Sequence, residues 1–216
     1  MKGILMRDGL VLYKKYLRFP LVILSSLGLL FTFMMGFPIS SLLSLLIPLG
    51  IGARIVYVFA EDEKDNWLKE LKTLPISSAQ AVGSRFILFT SIIFGCSLYS
   101  LCLNLIAFLL YKEQPLSFYF VFPILGFVFA VFNNFLLLPT CYKFGVQGAN
   151  VVCMSILILT GMIAFGIKKL NLKDWINFYE TVPQYVVFLS IAVVFILVGI
   201  FSIKLSIFIY DKSEVI

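Results

Sequence analysis

The stretch "FPLVILSSLGLLFTFMMGFPISSLLSLLIPLGIGA", Phe19 to Ala53, contains no Asp, Glu, Lys or Arg. A helix crosses a bilayer in ~20 apolar residues, so this run is too long for one crossing and suits two. Near its midpoint stands Gly36-Phe37-Pro38. Proline has no N–H to donate and keeps the residue before it out of the helical region, which predicts a turn there. Four further charge-free runs, Phe86–Tyr111, Gln114–Tyr142, Phe144–Ile167 and Thr181–Ile203, fit one helix each. The sequence therefore predicts an all-α integral membrane protein. Its six spans fall at roughly 20–37, 40–60, 83–111, 117–138, 149–167 and 184–206, in one transmembrane domain over 1–216.

Composition agrees. With 61% hydrophobic and 13% charged residues, the chain has too little polar surface for a soluble domain of its size. The first 18 residues are basic and amphipathic, unlike a cleavable signal peptide. With both ends on one side, thirteen of the 17 Lys and Arg residues fall there, leaving Lys112, Lys168, Lys169 and Lys173 opposite. The positive-inside rule then puts both termini in the cytoplasm of a bacterial cell. The +6 charge is a topology signal, and no nucleic-acid partner is expected.

Several chemistries are excluded. The chain has no histidine, so triads, HExxH zinc sites and similar devices are absent. No stretch reads GxxxxGK[ST], the loop that cradles ATP phosphates. Gly50-Ile51-Gly52 reads as a packing site or kink beside Pro48. The carboxylates of Glu61–Asp65 read as solvated. Cys96, Cys102, Cys141 and Cys153 form no CxxC pair and read as small hydrophobes, without disulfide or metal. The chain is not expected to be an enzyme or to bind a cofactor.

Residues 1–18 read as a helix on the inner membrane surface. Leu10, Tyr13 and Leu17 form one stripe, and Arg7, Lys14 and Arg18 another. A disordered basic tail is the other reading. Arg54 reads as snorkelling to the headgroups in preference to an ion pair. Ser77-Ser78-Ala79-Gln80 gives a capping box at the start of the third span. Ser91 and Gly95, four apart, permit close helix packing. Asn104, Asn133 and Asn134 either bond neighbouring helices or line a pathway. Pro139–Asn150 reads as a compact cytoplasmic loop. The loop over 168–183 reads as an aromatic anchor, with a gate as the other possibility.

One segment stands apart. "EDEKDNWLKELKTLPISS", Glu61 to Ser78, holds eight of the 28 charged residues between two spans. Trp67, Leu68, Leu71 and Leu74 share one helical face, acids precede Lys69 and Lys72, and Pro75 ends the run. Five acids against three bases give −2, whereas residues 1–18 carry +4. An acidic helix gains little from an anionic leaflet, so the apolar face is expected to dock on another protein, a plain solvated loop being the other reading.

These features resemble the short six-span permease subunits of type-2 ABC transporters, and most of all compact bacterial permeases that export phenol-soluble modulins and similar amphipathic peptides. The specific likeness lies in the acidic run followed by "LKTLPISSAQAVGSRF", Leu71 to Phe86, with the basic Arg85 at the third span. "YKFG", Tyr142 to Gly145, is a second likeness. The resemblance implies that 61–78 is a coupling helix seated in a cleft of a separate ATP-binding subunit, which alone binds ATP and Mg. Asp62, Asn66, Trp67, Glu70, Leu71, Leu74, Pro75 and Ile76 would contact that subunit. Trp67, Leu71 and Leu74 would form the plug, and Asp62 and Glu70 its flanks. Tyr142, Lys143, Phe144 and Gly145 would supply a second contact. The resemblance also implies an elbow helix at 1–18, a second permease subunit (identical or not), and amphipathic peptide or lipid cargo. Rival readings are the substrate-binding membrane component of an importer, an immunity or sensor protein on the same scaffold, and an intramembrane enzyme using carboxylates.

Overall fold

A computed structural model describes residues 2–167 and 184–212. All regular structure there is helical. Helix α1 (Lys2–Val11) runs through a π-helical stretch (Leu12–Leu17) into α2 (Arg18–Met35). Then come α3 (Phe37–Gly52), α4 (Ile55–Asp65), α5 (Trp67–Thr73), α6 (Ser78–Tyr111), α7 (Leu116–Ile167) and α8 (Gln184–Lys212). Five helices among the described residues are long and apolar enough to cross a membrane, against the six expected. The expected fourth and fifth spans both lie on α7, on either side of Gly145, whose φ of 64° and ψ of −159° break the helix. The 168–183 loop lies outside the described residues.

The turn at Gly36-Phe37-Pro38 is as expected. Gly36 has φ 66° and separates α2 from α3. The helix expected over 1–18 is present and runs on into α2. Residues 3–35 form one long rod, and its buried stripe is Ile4, Asp8, Leu12 and Leu17, while Leu10 and Tyr13 are exposed. The chain passes Pro20 without a break because the preceding turn is π-helical, with Arg18 N–H donating to the Tyr13 carbonyl.

Three of the prolines inside the helices each free a carbonyl four residues earlier, and another part of the chain packs against it. Pro20 frees that of Tyr16, which accepts from Arg54 Nη1 at 2.9 Å. Arg54 is thereby held to the N-terminal rod. Pro139 frees that of Phe135, which accepts from Ser202 Oγ of α8 at 2.5 Å. Pro48 frees that of Ser44, against which Gly126 of α7 packs so closely that a Cβ there would overlap the oxygen. In lipid an unpaired carbonyl has no water to turn to, so the hydrogen bonds to the Tyr16 and Phe135 carbonyls also tie separate parts of the bundle together.

Helices α3, α6 and α7 form the centre of the bundle. Phe86 with Phe135, Phe94 with Phe127, and Phe108 with Tyr119 show α6 and α7 running antiparallel, at ring separations of 6.3, 6.0 and 5.3 Å. The main apolar core includes Val58, Phe59, Leu71, Val82, Phe89, Leu137 and Leu138. Large apolar residues instead cover the outward faces of α2 and α8. One end of the bundle gathers the N-terminus, the end of α4, α5, the start of α6, Tyr142 and the end of α8. At the other end Tyr111 bonds the Phe33 carbonyl beside the Gly36 turn.

Candidate functional site at the end of α4

Helix α4 begins apolar, with Ile55, Val56, Val58 and Phe59 buried, and carries Glu61-Asp62-Glu63 near its end at Asp65. Successive residues on an α-helix point ~100° apart, so three consecutive acids fan out around the axis. Each grips a different element. Glu61 accepts from Lys15 and Tyr16 of the π-helical stretch and from Lys64. Asp62 accepts from Arg7 of α1 and Arg85 of α6. Glu63 Oε1 accepts from the backbone N–H of Val146 at 2.9 Å, just past the Gly145 break in α7. The run Glu61–Asp65, expected to be solvated, is so only in part: Glu63, Lys64 and Asp65 are exposed, but Glu61 is 5% exposed and Asp62 1%. Cations on other helices supply what water would have supplied.

At its centre Arg85 is fully buried. Its Nε donates to Asp8 at 3.1 Å and its Nη2 to Asp62. Arg7 closes the ring, donating to Asp8 at 3.0 Å and also to Asp62. Two guanidinium groups and two carboxylates cancel in charge, which makes burial of the set tolerable. The Arg85 guanidinium lies 4.6 Å from the Phe59 ring centre and 5.8 Å from that of Tyr142.

Asn66, left-handed at φ 52°, ends α4 and turns the chain into α5. Trp67 then packs half-buried under the Arg7 guanidinium, 4.5 Å from its ring centre. Leu71 enters the protein's own core at 1% exposure. Lys69, Glu70, Lys72 and Thr73 face outward, followed by exposed Leu74 and Pro75 and half-buried Ile76. Helix α6 starts with the expected capping box, Ser77 accepting from the Gln80 N–H and Gln80 from that of Ser77.

The predicted contact residues thus divide. Asp62, Leu71 and most of Trp67 turn inward, and Glu70, Leu74 and Pro75 outward. The expected plug of Trp67, Leu71 and Leu74 does not form one outward face, because the bundle covers the first two itself. Tyr142 is buried beside Arg85, and Lys143 and Phe144 are exposed. Asn104 donates to Ser44 Oγ of α3 at 2.6 Å, so it joins two helices. Asn133 is half-buried and Asn134 buried. Sequence reading missed Arg7, Asp8 and Glu63. The available signal was Asp8 spaced four from both Ile4 and Leu12, an acid on an apolar stripe in an otherwise basic segment.

Over residues 3–211 the chain matches a family described as ABC-2 family transporter protein. The chain belongs to the ABC-2 transporter family. It is thus a multi-pass membrane component of an ABC-2 transporter, a family that works with an ATP-binding partner. No curated protein and no solved structure matches the chain.

Proposed function

We propose that this ABC-2 chain is the permease subunit of an exporter for amphipathic or apolar cargo such as peptides, driven by a separate ATP-binding subunit through Glu61–Ser78. The observation that carries this reading is the fan of acids at the end of α4. A push on α5 reaches α1 and α6 through Asp62, the N-terminal rod through Glu61 and the far part of α7 through Glu63. A segment tied to so many membrane helices suits transmission of force. Its outer surface, Glu70, Leu74 and Pro75 with Lys69 and Thr73, is the docking face, and Lys143 and Phe144 a second contact.

ATP and Mg reside on the partner, since this chain has no phosphate-binding loop. Two permease subunits enclose the pathway in a bacterial plasma membrane, with the charged end of the bundle and both termini cytoplasmic. Few ionisable groups lie within the spans, which favours amphipathic cargo over a strongly charged solute. The test is co-purification with the ATP-binding protein encoded beside this chain. Glu70→Lys with Leu74→Asp is expected to abolish co-purification while the permease stays in the membrane. Undiminished association would reject the docking face.

A further inference from the structure

Between the start of α2, α3 and α6 lies an open cleft of about 630 Å³. Its walls are apolar, formed by Leu21, Ile47, Ile51 and Ile92 among others. Arg18 and Tyr13 stand at one end and Ser25 and Tyr99 at the other. The Arg18 end is that of the charged cluster, because the neighbouring Tyr16 reaches both Arg54 and Glu61. At the deep end Tyr99 Oη donates to the Ser25 carbonyl at 3.0 Å. From Arg18 to Ser25 the helix rises roughly 10 Å, so the cleft runs from headgroup level into the hydrocarbon.

Gly95 helps to form it. A Cβ at Gly95 would meet nothing within 4 Å, so the missing side chain lowers the α6 wall. Ser91 and Gly95 have the spacing of a helix-packing motif, yet both are exposed. An extended hydrocarbon chain is much thinner than a helix of ~10 Å diameter and suits a cleft with apolar walls.

The mouth is cationic. Arg7, Lys15, Arg54, Lys64 and Arg85 all bond partners within the chain. Arg18 and Lys14 are exposed and make no ion pair or hydrogen bond among the described residues. An unpaired arginine at headgroup level beside a half-exposed tyrosine suits a lipid phosphate.

We propose that this cleft binds an anionic phospholipid, one acyl chain lying between α2, α3 and α6 and its phosphate resting on Arg18. The site requires the membrane setting of the family but not the coupling role of α5, so each can fail without the other. The test is native mass spectrometry of the purified full chain, mixed with phosphatidylglycerol or with phosphatidylcholine of the same acyl chains. Wild type is expected to retain one phosphatidylglycerol in preference to phosphatidylcholine. Arg18→Gln, a surface change, should lower that retention about fivefold. Gly95→Phe fills the cleft and should abolish it, whereas Gly83→Phe, at another glycine of α6 with open space around it, should not. Equal retention of the two lipids by wild type overturns the proposal, as does unchanged phosphatidylglycerol retention in Arg18→Gln or in folded Gly95→Phe. If Gly95→Phe does not fold, the Arg18→Gln comparison decides.

Discussion

Asp8 and Asp62 lie on different helices yet accept hydrogen bonds from the same two arginines, Arg7 and Arg85. Removing one member leaves an uncompensated buried charge. Arg85→Met is therefore expected to cost roughly 3–5 kcal/mol of stability. Arg85→Met combined with Asp62→Leu removes one charge of each sign and leaves Arg7 with Asp8, so it should cost clearly less. Unfolding of the three proteins in detergent checks this; equal losses in the single and double variants would refute a charge-balanced ring.

Gly145 combines φ 64° with ψ −159°, a region open essentially to glycine, and Glu63 occupies the space of any Cβ. Gly145→Ala should destabilise by about 1–3 kcal/mol. Adding Glu63→Ala relieves the overlap but not the backbone strain, so the melting temperature should recover only in part. Full recovery would mean that the backbone is not strained there.

Ser202 and Pro139 are coupled through the Phe135 carbonyl. Ser202→Ala leaves that oxygen unpaired and should cost about 1–3 kcal/mol. Pro139→Ala returns an N–H to the same oxygen, so Ser202→Ala should cost less in that background. A double-mutant cycle reads the difference, and strict additivity would contradict the coupling.

The two faces of α5 should respond differently. Glu70→Lys with Leu74→Asp alters exposed positions and should change stability by no more than ~0.5 kcal/mol while abolishing association with the ATP-binding subunit and, with it, substrate-stimulated ATP hydrolysis. Leu71→Asp puts a charge into the core and should prevent folding. Differential scanning fluorimetry alongside hydrolysis assays separates the two effects.

Much of the fold was legible because a bilayer imposes long charge-free runs, and because Gly36-Phe37-Pro38 and Ser77–Gln80 are local signals complete within a few residues. The ring around Arg85 was not legible. Asp8 and Arg85 are far apart in the chain, and no local pattern pairs them. The stripe of Trp67, Leu68, Leu71 and Leu74 shows that α5 has an apolar face, but periodicity does not say what covers it. Here the bundle takes Trp67 and Leu71, leaving Leu74 outside. The Gly145 break sat in a region read as a loop, where the structure instead has two helical segments meeting at one residue.

The proposed docking of the outer face of α5 is tested most directly by cross-linking in intact membranes. With the four native cysteines replaced, Leu74→Cys and Leu71→Cys are compared for capture of the ATP-binding subunit. A coupling role for the outer face predicts capture from Leu74→Cys and none from Leu71→Cys. Capture from Leu71→Cys alone, or from neither, would contradict it.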